Sequence, residues 1–564
     1  MKDRRKTISV QVGNVSMGSD FPIRIQSMTN TTTTDIEASE AQCRRIFEAG
    51  GEIVRLTAQG VREAEAIGEI RKRLRAGGCE VPLVADIHFN PRAAFAAAER
   101  TDKVRINPGN FVDPARSFKK IEYTDEEYDA ELARIREALI PFIAVCRKHG
   151  TAVRLGVNHG SLSDRIMSRY GNTAAGMVES VMEFLRVFVA EGFSQVVISM
   201  KASNVVVMVE SVRRLVAAMD AENMHFPLHL GVTEAGFGED GRIKSAVGIG
   251  TLLSEGIGDT IRVSLSEDPE AEIPVARKIV DYVESQRHGD STEQSNVFMP
   301  ARRITRKVAW NWFGKGIIGG GMPPVVLSSL NIKAARISEP DICVDEHHHS
   351  PDFRLLEVNA LTPVSEIGEI TSDTVLAVTP DPSDVIGSQT RFIHELDHAG
   401  IMCPVVLKNS YDDTDLETAQ LKASIDLGTL VMNGLADGIW FEAPHCGLDT
   451  INAAFAILQA TRQRITRTEF ISCPGCGRTM FDLQTTVRRV KEATSHLKHL
   501  KIGVMGCVVN GPGEMADADY GYVGAARNRI SLYRGKECVE KNIPEEEAIE
   551  RLLALIEQDG RTNG

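Results

Sequence analysis

The stretch Val81-Pro-Leu-Val-Ala-Asp-Ile-His-Phe89 decides how the first half of the chain is read. An apolar run leads into Asp86 and His88, the pattern of a strand buried on both faces whose carboxyl end turns polar. Seven further runs behave alike: Pro22–Met28, Glu52–Thr57, Lys103–Pro108, Ala152–Asn158, Gln195–Ser203, Pro227–Glu234 and Thr260–Ser266. Between them lie amphipathic stretches such as Asp35–Ala49, opened by the capping-box pattern Thr34-x-x-Glu37 and closed by Gly50-Gly51. Eight such units within residues 1–285 predict an α/β fold, a (β/α)8 TIM barrel.

Barrel chemistry sits at the carboxyl ends of the strands. There the sequence offers Arg55, Asp86 with His88, Arg105 with Asn107, Arg154 with Asn158, Lys201 with Ser203, Glu234, and Arg262 with Ser264. One such arginine alone is more often paired with a neighbouring carboxylate. Five cations, Arg55, Arg105, Arg154, Lys201 and Arg262, at the ends of five strands point instead to a di- or polyanionic ligand. Guanidinium forks match phosphate oxygens in pairs. Asn107, Asn158, Ser203 and Ser264 would add neutral contacts to that ligand. Asp86, His88 and Glu234 are the groups available for proton transfer. The bland reading of each is that it orients a neighbour.

Two further stretches lie near the C-terminus: Cys473-Pro-Gly-Cys476-Gly-Arg478 and Gly506-Cys507-Val-Val-Asn510-Gly-Pro-Gly-Glu514. Cys-x-x-Cys sets two thiolates about one turn apart, the spacing that grips one metal centre from a tight loop. Ile502–Gly506 reads as a short buried strand that delivers a third thiolate. Three thiolates can hold three corners of a [4Fe–4S] cluster, with Glu514 the candidate for the fourth iron. Zinc is the competing reading, although the 31-residue step from Cys476 to Cys507 exceeds ordinary zinc-ribbon spacing. Three buried thiols with no metal is the bland one.

The chain has 564 residues, enough for three or four domains, with 43% apolar and 25% charged residues. Its net charge of −13 argues against a general nucleic-acid binder. No run of 18 apolar residues occurs, and no apolar segment follows Met1-Lys-Asp-Arg-Arg-Lys6, so neither membrane insertion nor secretion is indicated. Ten cysteines in so long a chain make no disulfide framework, which favours a reducing compartment.

Gln286–Ser295 breaks the pattern and reads as a linker, so the expected domains are 1–285, 296–468 and 469–564. In the middle domain, the stretch holding Arg302, Arg303, Arg306, Lys307, Trp310 and Trp312 reads as a helix packing its tryptophans inward. The apolar runs that follow suggest another α/β unit, with a barrel-like form among those it could take. Glu346-His-His-His349 lies in a loop and is not read as a metal site. Cys343, Cys403 and Cys446 read as buried thiols. No catalytic constellation is visible there.

The chain closely resembles the 4-hydroxy-3-methylbut-2-en-1-yl diphosphate synthase family of the non-mevalonate isoprenoid pathway. The resemblance covers about residues 20–285 and 470–535. It rests on Gln26-Ser-Met-Thr-Asn30, Ala85-Asp-Ile-His-Phe89, Arg105-Ile-Asn-Pro-Gly-Asn110, Gly231-Val-Thr-Glu-Ala-Gly236, Ser254-Glu-Gly-Ile-Gly-Asp259 and the Gly506–Glu514 string. It implies a [4Fe–4S] cluster on Cys473, Cys476, Cys507 and Glu514. It also implies that the barrel binds 2-C-methyl-D-erythritol 2,4-cyclodiphosphate, that Glu234 supplies a proton with Asp86 and His88 in support, and that a ferredoxin or flavodoxin donates electrons. In the short bacterial form the cluster domain of one subunit covers the barrel of its partner, so a homodimer is possible. This chain departs by inserting a domain, read as a spacer, between the two. Its lack of a transit-peptide-like leader favours a bacterial cytoplasm. A zinc-stabilised phosphosugar enzyme and a non-enzymatic electron carrier stand as the other readings.

Overall fold

All eight runs become parallel strands in the computed structural model, which describes every residue except 2, 88, 113–121, 288–301, 311–315, 331–338, 345–352, 498, 509–514, 516 and 562–564. The strands are Arg24–Met28, Ile53–Thr57, Leu83–Asp86, Lys103–Ile106, Ala152–Asn158, Val196–Lys201, His229–Leu230 and Thr260–Ile261. Each pairs with its sequence neighbour, and the eighth returns to lie between the first and the seventh. A bridge from Ile198 to Leu228 joins sixth to seventh and closes the ring. Asp86 lies opposite Arg105, and Arg105 opposite Arg154. In-register partners share a face of the sheet, so one row carries a carboxylate and two guanidiniums.

The seventh and eighth strands are shorter than their apolar runs. Past Leu230 the backbone leaves the ladder at Gly231, where a Cβ would stand 2.8 Å from both the Arg262 carbonyl oxygen and Lys201 Nζ. The runs end at the site rather than in the sheet. The first helix, Ile36–Glu48, starts one residue later than the capping box suggests. Its cap is Asp35, whose side chain accepts the Ala38 N–H, a role that Asp fills as well as Thr. An N-terminal hairpin, Val10–Val12 with Val15–Met17, packs Val10, Val12 and Met17 against Ile53, Val84, Ala152 and Val197. It plugs the amino end of the barrel, which leaves the carboxyl end for chemistry.

Residues 4–242, 257–277 and 467–564 pack as one unit, and 1–3, 243–256 and 278–466 as a second. Within the first unit the C-terminal region forms a five-stranded sheet of Glu469–Ser472, Lys501–Met505, Tyr520–Ala526, Arg529–Arg534 and Glu537–Pro544, in that order. Helices Leu483–Thr494 and Glu545–Gln558 contribute Val487, Val490, Leu552 and Ile556 to its core.

The second unit has a parallel sheet ordered Ile342–Cys343, Val325–Ser328, Gly438–Glu442, Val405–Ser410, Thr374–Thr379 and Arg354–Asn359. The basic tryptophan stretch is not a helix. Val308–Trp310 is a strand paired antiparallel to Gly316–Ile318, buried at Val308 and Trp310 and exposed at Ala309. That period of two is the signature of a strand. The Trp310 ring lies on Gly316, where a Cβ would come within 2.1 Å of it. Trp440 is buried under Lys408, whose ammonium stands 4.2 Å from the ring. Cys403 is buried, but Cys343 and Cys446 are only half-buried. Glu346–His349 lies outside the described residues. Among the described residues no helix is long and apolar enough to cross a membrane.

Candidate active site

The carboxyl ends of the barrel strands and the cysteine loops line one pocket of about 740 Å³, part of it open to solvent. The barrel supplies Arg55, Asp86, Arg105, Arg154, Asn158, Lys201, Glu234, Arg262 and Ser264, and the C-terminal region supplies Cys473, Cys476 and Cys507. All belong to one unit of one chain. Asn107 and Ser203, expected to touch substrate, are not among the lining residues. Asn107 caps the short helix Pro108–Phe111 by accepting the Gly109 N–H, and it donates to Ser161 Oγ at 3.0 Å. Ser203 is buried. His88 and Glu514 lie outside the described residues.

Asp86 is the hub of the positive wall. Its carboxylate stands 3.5 Å from both Arg105 and Arg154, and 3.8 Å from Arg478. A carboxylate shared by three guanidiniums is held as their counter-ion, which is a different role from giving up a proton. Arg105 also donates to the Gly156 carbonyl at 2.8 Å. Arg154 donates to His229 Nδ1 at 3.2 Å, so that nitrogen accepts and the proton sits on Nε2. Burial, then Lys201 and Arg154, keep this imidazole neutral.

Burial also lowers the cations themselves. Arg55 falls to about 10, chiefly by desolvation and then by Arg262 and Arg105, with Asp86 opposing. Lys201 falls well below its ordinary value through burial and then through Arg55, Arg154 and Arg262. So many like charges gathered in one largely buried pocket are costly until an anion arrives. Glu234 lines the same pocket. It is buried, with a left-handed φ of 49°, a conformation that L side chains adopt at a cost and that functional sites retain.

The thiol side is built to carry negative sulfur. The Gly506 N–H donates to Cys473 Sγ at 3.2 Å, and Arg478 reaches Cys476 as well as Asp86. Even so, burial pushes the Cys473 thiol up to about 12, and its sulfur neighbours Cys507 and Cys476 add to the shift. A thiol raised so far needs a cationic centre nearby before it can ionise. Among the described residues no three His, Cys, Asp or Glu side chains form a site for a single metal ion.

Two regions match family models, the GcpE TIM-barrel domain over residues 7–277 and the GcpE protein C-terminal domain over residues 469–558. Over 99% of its length the chain is similar to the 4-hydroxy-3-methylbut-2-en-1-yl diphosphate synthase (flavodoxin) of Parabacteroides distasonis, 53% identical and covering 98% of that protein. The chain belongs to the 4-hydroxy-3-methylbut-2-en-1-yl diphosphate synthase family. The counterpart in Bacteroides fragilis is 52% identical over 99% of this chain and 96% of that protein. The one in Chlorobaculum tepidum is 39% identical over 99% and 89%.

Membership in the synthase family fits a site that joins a cation-lined barrel to a thiol loop, and three residues in or behind it escaped the sequence. Arg478 was visible in the Cys-x-x-Cys string, but nothing there shows that it reaches a barrel carboxylate. Lys103 is fully buried inside the barrel, with no hydrogen-bond partner for Nζ among the described residues. Its position at the start of the fourth run hid it. Glu272 is buried behind Arg262, and as an acidic residue opening a helix it looked ordinary.

Proposed function

We propose that this chain catalyses the reductive ring opening and dehydroxylation of 2-C-methyl-D-erythritol 2,4-cyclodiphosphate to (E)-4-hydroxy-3-methylbut-2-en-1-yl diphosphate, a step in isoprenoid precursor synthesis. One observation carries this reading: five barrel cations and three cysteines of one chain line one pocket. Cations suit a ligand with two phosphates, and the cysteines suit the [4Fe–4S] cluster that Cys473, Cys476 and Cys507 would hold, with Glu514 as fourth ligand. When bound, that cluster supplies the electrons, one at a time. A flavodoxin or ferredoxin is the donor we assign, and the bacterial cytoplasm the compartment.

The chain's residues do the rest. Arg55, Arg105, Arg154, Lys201 and Arg262 bind and orient the two phosphates, with Asn158 and Ser264 beside them. Asp86 and His229 fix the directions of Arg105 and Arg154. Opening the ring breaks a carbon–oxygen bond to phosphate, and a hydroxyl leaves as water. The overall step therefore consumes two electrons and a proton. Glu234 delivers that proton at the leaving hydroxyl, with His88 in support, while Asp86 serves as counter-ion to the guanidiniums. The thiol loop caps the barrel and keeps bulk water away. We divide the chain into a substrate barrel (1–285), a spacer (296–468) and a cluster domain (469–564). Barrel and thiol loops meet within one copy, so a homodimer is not needed to complete the site.

The test is an anaerobic absorption and EPR spectrum of the dithionite-reduced protein, with and without the cyclodiphosphate, and iron and zinc counted in the same sample. A brown protein whose reduced signal changes on adding substrate supports the reading. A colourless protein with stoichiometric zinc overturns it.

A further inference from the structure

Glu272 follows Asp268-Pro-Glu-Ala271 and opens the helix Glu272–Ser285. It is 1% exposed and does not line the pocket. Its carboxylate accepts four hydrogen bonds: Arg262 Nε at 3.0 Å, Arg262 Nη2 at 2.9 Å, Ser27 Oγ at 2.6 Å and the Leu265 N–H at 3.2 Å. An ionised carboxylate has about four lone-pair sites, so this one is filled and cannot turn. The fork it makes with Arg262 is bidentate, the arrangement that fixes a guanidinium in plane.

We propose that Glu272 is a positioning residue that holds the Arg262 guanidinium in the orientation in which it meets a substrate phosphate. The Nε–Nη2 edge of Arg262 is consumed by Glu272. That leaves the Nη1 end on the pocket side, where it lies 3.7 Å from the sulfur of Met28, itself a lining residue. Ser27, on the first strand, anchors the same carboxylate, so the two barrel strands that flank Arg262 and Met28 are tied together beneath the site. The charge of Glu272 also favours the protonated forms of Arg55 and Lys201. Asp86 plays the matching part for Arg105 and Arg154 on the other wall.

The inference rests on Arg262 being a phosphate contact, as proposed above, and the experiment separates the two. Calorimetric affinity for the cyclodiphosphate, together with KM and kcat, is measured on cluster-loaded wild type, E272Q, E272D, R262M and the R262M/E272Q double variant. E272Q should raise Kd and KM about tenfold and change kcat by less than about twofold, since the lost contact serves ground and transition state alike. E272D keeps the charge but withdraws it, so its loss should be smaller in the same direction, and it stands in if E272Q does not fold. In the R262M background the E272Q change should cost nothing further. An equal added loss there, or wild-type affinity in E272Q, overturns the role of Glu272 alone. Wild-type affinity in R262M overturns the assignment of Arg262, and the inference with it.

Discussion

Ala235 and Ser472 form an isolated parallel bridge between the end of the seventh barrel run and the first strand of the C-terminal sheet. Their neighbours in sequence are Glu234 and Cys473. A single backbone pairing therefore joins the segment of the candidate proton donor to that of the first thiolate, and both residues line the pocket. Ser266 tightens the seam by bonding Ser472 Oγ at 2.7 Å and the Cys473 carbonyl at 2.9 Å. Asp240 anchors its rim through Arg467 and Lys491.

Because that seam is internal to one chain, two damaged copies should not repair each other. Glu234→Gln and Cys507→Ser proteins, each inactive, are mixed, incubated and assayed with reduced flavodoxin. The mixture should be no more active than its parts. Substantial recovery would mean that barrels are served by the thiol loop of another copy.

Glu234→Gln should lower turnover by about 10²–10⁴, the usual worth of a placed acid or base. Substrate affinity and iron content should stay near wild type. Gln carries the same backbone strain at φ 49° as Glu, so the comparison isolates the carboxyl proton. Full activity in this variant removes Glu234 from the chemistry.

Substrate binding should take up a proton. Lys201 is pushed well down, first by burial and then by its cationic neighbours. A bound phosphate raises it again. A base whose pKa rises on ligation binds more protons in the complex, so affinity should weaken as pH rises through that interval. Calorimetry in buffers of different ionisation heat reads the uptake directly. Lys201→Met should abolish it, and uptake unchanged in that variant assigns the proton elsewhere.

Asp426 should make the second unit more stable in mild acid. Fully buried, it accepts from Tyr411 at 2.9 Å and from Tyr282, yet desolvation raises it from 3.8 to about 7. The folded state favours the neutral acid, so the contribution is whole below about 4 and is lost as pH climbs through about 7. Asp426→Asn should flatten that decline and gain a few kcal/mol at pH 8, read by denaturant titration of this unit. An unchanged slope between wild type and variant counts against it.

The barrel was legible because its strands are apolar on both faces and end in polar residues, a pattern that needs no tertiary information. The five cations were legible for the same reason, since strand ends of a barrel share a rim. What the sequence hid depends on contacts between distant segments. Arg478 matters because it reaches Asp86, some 390 positions away in the chain. Glu272 matters because it fills the far side of Arg262. Asn107 looked like a ligand contact because an Asn at a strand end serves equally to cap the turn that follows. The Val308–Trp310 strand was misread because its period of two spans only three residues in a basic setting.

All three tryptophans of the chain, Trp310, Trp312 and Trp440, fall in the inserted segment, and the barrel and thiol region have none. Trp310 lies against Gly316 and Trp440 is buried under Lys408. Indole emission is thus a private signal of the insert. Followed beside the visible colour expected of the cysteine loops, it lets one sample report whether the spacer melts with the catalytic unit or apart from it.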